Sequence, residues 1–209
     1  GSVMRGLVLS GAAISLYGDS RPASGAEHHM SHYWETILEQ RGIRPAMHGE
    51  QVAVGTVLVL MLIEELLKEN IDFDAARESA RAYNSAAWEL EIRAHYGAAA
   101  DEVIALEQKA GKNNIEGRLA RIDSMQRSWD AVRVQLETLP ESSSVRALLR
   151  DIGCPCTPAD IGVDDELLMD TFRYCKEIRA RYTVFQTVYD LGLTDKLAAR
   201  VIEKANSTD

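Results

Sequence analysis

Residues 20–35 read SRPASGAEHHMSHYWE, and residues 48–56 read HGEQVAVGT. These two stretches contain His28, His29, His32 and His48, four of the five histidines in the chain. Histidine is largely neutral near pH 7 and keeps one ring nitrogen with a free lone pair, which makes it the commonest metal ligand and a ready proton carrier. We therefore interpret these stretches as the functional part of the chain and the remainder as a helical scaffold that positions them.

The spacing of three histidines indicates a shared site. His28 and His32 are four residues apart, so that they lie on one face of an α-helix. His48 lies in a predicted break at residues 45–49, and it can begin or sit early on the helix that is predicted from about residue 50. Two helix starts that point into one cleft would bring two imidazoles to a common metal ion.

A catalytic metal usually takes about three protein ligands and leaves one position open for substrate. Glu27 adjoins His28 but points about 100° round the helix, and it does not easily share that face. Glu50 and Asp19 are alternatives that the sequence does not distinguish. A group of solvated or core histidines without a metal is therefore the competing interpretation.

Composition excludes several classes of protein. The chain has 209 residues, a formal net charge of −9, 46% hydrophobic residues and 26% charged residues. These proportions are typical of a soluble globular protein. The negative charge argues against nucleic acid or an anionic membrane as a partner. The 3 cysteines predict no disulfide framework.

We expect a cytoplasmic protein without membrane insertion. The most apolar run, residues 52–63, is too short to cross a bilayer. The first residues do not form a signal peptide. We interpret Gly1-Ser2 as a cloning remnant.

The hydrophobic pattern predicts an all-α fold. Residues 3–17 are apolar and predict a buried helix, and Thr157-Pro158 has the composition of a helix start. No strand, glycine-rich turn and helix follow one another in the way that a dinucleotide site requires. The other predicted helices are residues 26–42, 50–67, 73–96, 98–109, 114–139, 142–151, 164–179, 182–191 and 194–205.

The chain also resembles a known family. The runs at residues 20–32 and 48–56, with RARYT at residues 179–183 and DLG at residues 190–192, resemble the sn-glycerol-1-phosphate dehydrogenases. This family belongs to a superfamily with the iron-containing alcohol dehydrogenases, the glycerol dehydrogenases and the dehydroquinate synthases. Its enzymes have an N-terminal nicotinamide-binding domain and a C-terminal helical domain that holds a metal.

The resemblance implies that residues 1–209 form one multi-helix, metal-binding domain, the C-terminal part of such a two-domain enzyme. It assigns His28 and His48 as metal ligands and His32 as the catalytic histidine beside substrate and nicotinamide. The metal would be Zn²⁺, with Ni²⁺ or Fe as alternatives. The third ligand, an aspartate, and the domain that binds NADH or NADPH would lie upstream, so that we expect this chain alone to be inactive.

The implied reaction is reduction of dihydroxyacetone phosphate to sn-glycerol 1-phosphate, a step of phospholipid metabolism, in a homo-oligomeric enzyme. Ser20, Arg21 and Ser24 lie near a helix start and are candidates to bind the substrate phosphate. The competing interpretation is that this run is only a shaped turn. Likewise, His32 either relays a proton or makes a structural hydrogen bond.

Two further hypotheses stay open. The same scaffold supports other polyol dehydrogenases and lyases such as dehydroquinate synthase. The second hypothesis is that the chain is a helical module without enzymatic activity, because resemblance of fold alone does not establish a reaction.

Overall fold

The computed structural model describes residues 1–207, apart from the side chain of Pro22. These residues form helices and contain no β-strand, which confirms the all-α prediction. Short 3₁₀ segments lie at Arg21–Ala23, Gly97–Ala99, Ala159–Ile161 and Cys175–Ile178. The α-helices are α1 (Ser2–Tyr17), α2 (Ala26–Gln40), α3 (His48–Leu67), α4 (Phe73–Arg81), α5 (Ser85–Tyr96), α6 (Ala100–Ala110), α7 (Ile115–Leu136), α8 (Ser142–Asp151), α9 (Asp165–Tyr174), α10 (Val184–Asp190) and α11 (Thr194–Asn206).

Helices α2 and α3 form the centre of the fold. Helix α2 packs against α3, α9 and the 3₁₀ segment Cys175–Ile178, and α3 also packs against α8 and α11. Trp34 of α2 is fully buried, and its indole N–H donates to the hydroxyl of Thr171 on α9 at 2.8 Å. The apolar side chains of α2 to α7 and α9 to α11 join in one continuous core. None of the described helices is both long and apolar enough to cross a membrane.

Gly55 sets how closely α2 and α3 approach. A Cβ atom at this position would lie 3.1 Å from the carbonyl oxygen of Glu27 and 3.4 Å from its Cα. The neighbouring atoms are helix backbone, which cannot swing aside as a flexible side chain would. The packing therefore favours glycine in the middle of α3, although glycine costs about 1 kcal/mol of helix propensity relative to alanine.

Helix α1 is not buried, contrary to the prediction for residues 3–17. None of its residues is buried, and Leu16 is 91% exposed. Within the described chain, α1 packs mainly against the 3₁₀ segment that follows it. The apolar composition was correct evidence for a helix, but an apolar sequence does not itself supply a surface that covers it.

Three other helix predictions were wrong in their extent. Asn84 interrupts the predicted helix over residues 73–96, because its side chain accepts from the N–H groups of Ala86 and Ala87 and starts α5. The start at Thr157-Pro158 yields only the short 3₁₀ segment Ala159–Ile161. The predicted helix 164–179 ends as an α-helix at Tyr174 and continues as 3₁₀.

Two buried charged clusters connect segments within the second half of the chain. Glu177 is fully buried and pairs with Lys112 and Lys176. Burial raises the pKa of Glu177, but the two ammonium groups outweigh it and hold the value at about 2. In the second cluster, the buried carboxylate of Asp190 on α10 binds Arg121 of α7 at 2.6 Å. Removing one partner of such a buried pair is strongly destabilising.

His29 is a buried core residue whose two ring nitrogens have no hydrogen-bond partner among the described residues. Burial lowers the pKa of His29 to about 4, and the positive charges of Lys112 and Arg181 add to the effect. His29 is therefore neutral in the folded protein at neutral pH, and it faces the core on α2 while its neighbour His28 does not.

We predict that Gly55→Ala destabilises the fold by about 1 kcal/mol, because overpacking costs more than the gain in helix propensity. Gly117→Ala on α7 is the matched control. A Cβ at Gly117 meets only ordinary contacts, 3.5 Å from Arg121 Nη1 and 3.9 Å from the Gly111 carbonyl oxygen. Urea unfolding of both variants measures the difference. A Gly55→Ala protein as stable as Gly117→Ala would contradict the close approach.

We predict that His29 makes stability fall as the pH drops from about 6.5 towards 4. The unfolded chain binds a proton near pH 6.5, whereas folded His29 binds one only near pH 4. The accumulated loss is about 3 kcal/mol at pH 4. In His29→Phe the free energy of unfolding should depend less on pH between 4.5 and 6.5. Parallel curves for the two proteins would refute this role of His29.

Candidate functional site

Three imidazoles converge where α2 meets the start of α3. The ring centroids of His28 and His48 are 5.3 Å apart, those of His32 and His48 are 5.5 Å apart, and those of His28 and His32 are 6.5 Å apart. His28 and His32 come from one face of α2, as their spacing predicted, and His48 is the first residue of α3. The three side chains are partly exposed, so that the cluster is open to solvent.

Local hydrogen bonds hold His48 at the start of α3. The Glu50 carboxylate accepts from the N–H of Met47 at 3.0 Å and caps the helix. The Gln51 side chain donates to the carbonyl of Ala46 at 2.7 Å, which fixes the loop before the helix. Ser31 of α2 contacts both Gln51 Oε1 at 3.3 Å and His48 Nδ1 at 3.1 Å. The start of α3 is thus tied to α2.

Two carboxylates hold the Nδ1 atoms of all three histidines. Glu27 Oε1 lies 2.7 Å from Nδ1 of His28. Glu35 binds two rings, with Oε1 at 3.0 Å from His48 Nδ1 and Oε2 at 3.1 Å from His32 Nδ1. A carboxylate accepts the Nδ1–H proton, so that each neutral ring keeps the lone pair of Nε2 free.

Both carboxylates are ionised at neutral pH. Burial raises the pKa of Glu27, but hydrogen bonds from His28 and from the Gly25 backbone outweigh it, and the pKa lies below its ordinary value. In the same way, burial raises the pKa of Glu35, but hydrogen bonds from His48 and His32 outweigh it and hold the pKa below its ordinary value. The negative charges therefore remain available to orient the imidazoles.

The structure corrects one inference about Glu27 and adds Glu35. The expected 100° separation on the helix does not keep Glu27 from His28, because its side chain folds back at the first turn of α2. Glu35 was missed in the sequence, although its position three residues after His32 is a typical helical contact. Its contact with His48 depends on the packing of α3 and has no signal in the sequence.

The donor set fits a divalent metal ion. Imidazole nitrogens oriented by carboxylates through Nδ1 are characteristic of metal-binding histidines. Within residues 1–207, His32, Glu35 and His48 form a group that could hold a metal ion, because one ligand atom of each lies within 4.8 Å of the others. His28 lies beside this group, and its free Nε2 offers a further donor. The alternative donors Glu50 and Asp19 instead bind backbone or arginine groups.

The predicted phosphate-binding residues lie in the loop that leads into α2. The Arg21 side chain is 58% exposed, and its Nε is 3.6 Å from the Asp19 carboxylate. Ser20 Oγ accepts from the Arg181 guanidinium at 3.0 Å, and the Ser24 carbonyl accepts from it at 3.1 Å. The Gly25 N–H donates to Glu27 at 2.9 Å, which connects this loop to the carboxylate that holds His28.

A cavity of about 590 Å³ opens beside the histidines. His32 and Glu35 line one side, and Lys109 and Arg179 contribute positive charges to its wall. Glu39 and Glu102 also line the cavity, so that its wall carries charges of both signs.

No family model and no solved structure matches the chain. Curated proteins do match it. Glycerol-1-phosphate dehydrogenase, NAD(P)+, of Halalkalibacterium halodurans is 26% identical over 178 residues, which is 85% of this chain and 35% of the relative. The enzyme of the same name from Geobacillus stearothermophilus is 27% identical over 197 residues, 90% of this chain and 38% of the relative. That of Methanosphaera stadtmanae is 50% identical over 60 residues, 29% of this chain and 16% of the relative.

The chain therefore spans little more than a third of the length of the relatives that it matches most extensively. The described residues are helical, as expected for the C-terminal part of these enzymes. Over 85–90% of its length the chain is thus similar in sequence to glycerol-1-phosphate dehydrogenases, and its helical fold agrees with the expectation for their C-terminal part.

Proposed function

We propose that this chain is the metal- and substrate-binding part of an NAD(P)-dependent sn-glycerol-1-phosphate dehydrogenase that acts on dihydroxyacetone phosphate. The observation that carries the proposal is the cluster of three imidazoles whose Nδ1 atoms are held by Glu27 and Glu35. The names of the relatives supply the class of reaction.

In this proposal His28 and His48 hold a divalent metal, Zn²⁺ in the first instance. Both have an Nδ1 atom engaged by a carboxylate, which leaves Nε2 for the metal. A metal ion at this position would act as a Lewis acid on the carbonyl oxygen of a substrate. A third ligand from outside this chain would complete the site. Glu35 orients His48 from the Nδ1 side of the ring, away from a metal ion bound to Nε2.

His32 is the candidate proton carrier. It is one helical turn from His28, is 29% exposed in its side chain, and lines the adjacent cavity. Glu35 holds its Nδ1, so that the Nε2 atom is free to exchange a proton with a ligand or with water.

Ser20, Arg21 and Ser24 are the proposed phosphate-binding residues. The exposed guanidinium of Arg21 can form charge-assisted hydrogen bonds with phosphate oxygens. The loop is linked to His28 through Gly25 and Glu27, so that a phosphate held there would be bound by the same local framework as the metal.

The nicotinamide is proposed to bind mainly outside this chain. Residues 1–207 contain no β-strand, and a dinucleotide crevice is built from strands. The relatives are longer and carry NAD(P)+ in their names. The exposed apolar surface of α1 would suit packing against such an additional part.

The direct test is NADH and NADPH oxidation with dihydroxyacetone phosphate, after incubation with Zn²⁺. It should be run on this chain and on the longest natural polypeptide that contains it. Activity of the longer protein alone is the expected result. Activity only with glycerol or another neutral polyol would refute the proposed substrate, and activity with no substrate of this class would favour a helical module without enzymatic function.

We predict that His48→Ala lowers the affinity for Zn²⁺ at least tenfold, because it removes a proposed ligand. Competition with a chromogenic chelator measures this without any activity assay. His95→Ala is the matched control, because His95 lies outside the cluster, near Asp170 and stacked on Tyr174. Equal Zn²⁺ affinity in the two variants would contradict the ligand assignment.

We predict that Arg21→Ala raises the KM for dihydroxyacetone phosphate about tenfold and leaves the KM for unphosphorylated dihydroxyacetone nearly unchanged. A charge-assisted hydrogen bond of about 1.5–3 kcal/mol to the phosphate would be lost. Steady-state kinetics of the longer protein provides the comparison. A parallel rise in both values would argue against a phosphate contact.

A further inference from the structure

Arg181 ties the loop at residues 19–24 to the distant C-terminal half of the chain. Its Nη1 donates to the carbonyl oxygen of Ser24 at 3.1 Å. Its Nη2 donates to Ser20 Oγ at 3.0 Å and to Asp19 Oδ1 at 3.2 Å. One guanidinium thus binds both ends of the loop that carries the proposed phosphate-binding residues.

The position of Arg181 is itself well supported. Arg181 lies between the 3₁₀ segment Cys175–Ile178 and α10. The ring of the next residue, Tyr182, lies 5.7 Å from the Arg121 guanidinium, and Arg121 binds the fully buried Asp190. The loop at residues 19–24 is therefore held against a segment that α7 and α10 anchor.

The contacts of Arg181 require a guanidinium. A guanidinium presents five N–H donors in a planar, fixed geometry, whereas a lysine ammonium is a point charge on a flexible chain. Here the two terminal nitrogens reach three acceptors on three different residues. The Arg181 side chain is 24% exposed, so that water competes only partly for these bonds.

The loop that Arg181 holds continues directly to the histidine cluster. Gly25 follows Ser24 and donates its N–H to Glu27 Oε1 at 2.9 Å. The same oxygen contacts His28 Nδ1 at 2.7 Å. The conformation of the loop therefore bears on the carboxylate that orients His28.

We propose that Arg181 is a positioning residue, which holds residues 19–24 in the conformation in which Ser20, Arg21 and Ser24 receive a phosphate group. The proposal rests on the phosphate role proposed above for these three residues. Arg181 acts through the loop and makes no contact with reacting atoms.

Amide hydrogen exchange tests, without any ligand, whether Arg181 holds the loop at residues 19–24. In Arg181→Ala the backbone amides of residues 19–26 should exchange about tenfold faster, while those of α3 keep their protection and report an intact fold. Arg181→Lys should not restore the protection. Arg93→Ala is the matched control, because Arg93 also forms two ion pairs, with Glu89 and Asp101, away from the loop. Unchanged exchange of the loop in Arg181→Ala, or full protection in Arg181→Lys, would overturn the proposal.

Titration with inorganic phosphate, followed by the NMR signals of residues 19–26, tests the consequence for the ligand. Arg181→Ala should weaken phosphate binding about fivefold, and Arg93→Ala should not. A loosened loop with the phosphate affinity of the original protein would overturn the positioning role. A further outcome is that the original chain binds no phosphate while Arg181→Ala still speeds amide exchange in residues 19–26. That result would refute the phosphate role of the loop, and it would support only the contacts by which Arg181 holds the loop.

Discussion

The site depends on the contact between the backbones of α2 and α3 at Gly55. Because residue 55 has no side chain, α3 approaches the helix backbone at Glu27, one residue before His28. This approach places the start of α3, and with it His48, within 5.3 Å of the His28 ring. The absence of a side chain at residue 55 thus favours the close packing of the two helices that carry the histidines.

Charge at the site is arranged to orient the imidazoles. Glu27 and Glu35 stay ionised because hydrogen bonds from the histidines and from backbone outweigh the cost of partial burial. Their two carboxylates engage three Nδ1 atoms, so that the free lone pairs are left on Nε2. The formal net charge of the chain is −9, and most of its acidic residues lie outside the site, where they contribute to solubility. Glu27 and Glu35 differ from them because they contact the histidines directly.

Much of the fold could be predicted from local signals. Apolar spacing identified the helices, and the predicted helix over residues 142–151 has the observed bounds of α8, Ser142–Asp151. The predictions were wrong where a side-chain cap ends or starts a helix, or where burial depends on neighbouring elements. Asn84 divides the predicted helix 73–96, and α1 has an apolar sequence but no covering surface in the described residues. Helical propensity is local, whereas burial depends on what else is present to pack.

The sequence by itself determined that the chain is helical, that His28 and His32 share a helix face, and that His48 lies next to the start of the following helix. These features follow from backbone periodicity over a few residues, which neighbouring side chains encode directly. Only the tertiary structure decided that Glu35 joins His32 to His48, that His29 faces the core, and that Arg181 reaches back to the loop before α2. Each of these contacts joins residues on different elements or depends on what covers them, and no spacing along one helix specifies such packing.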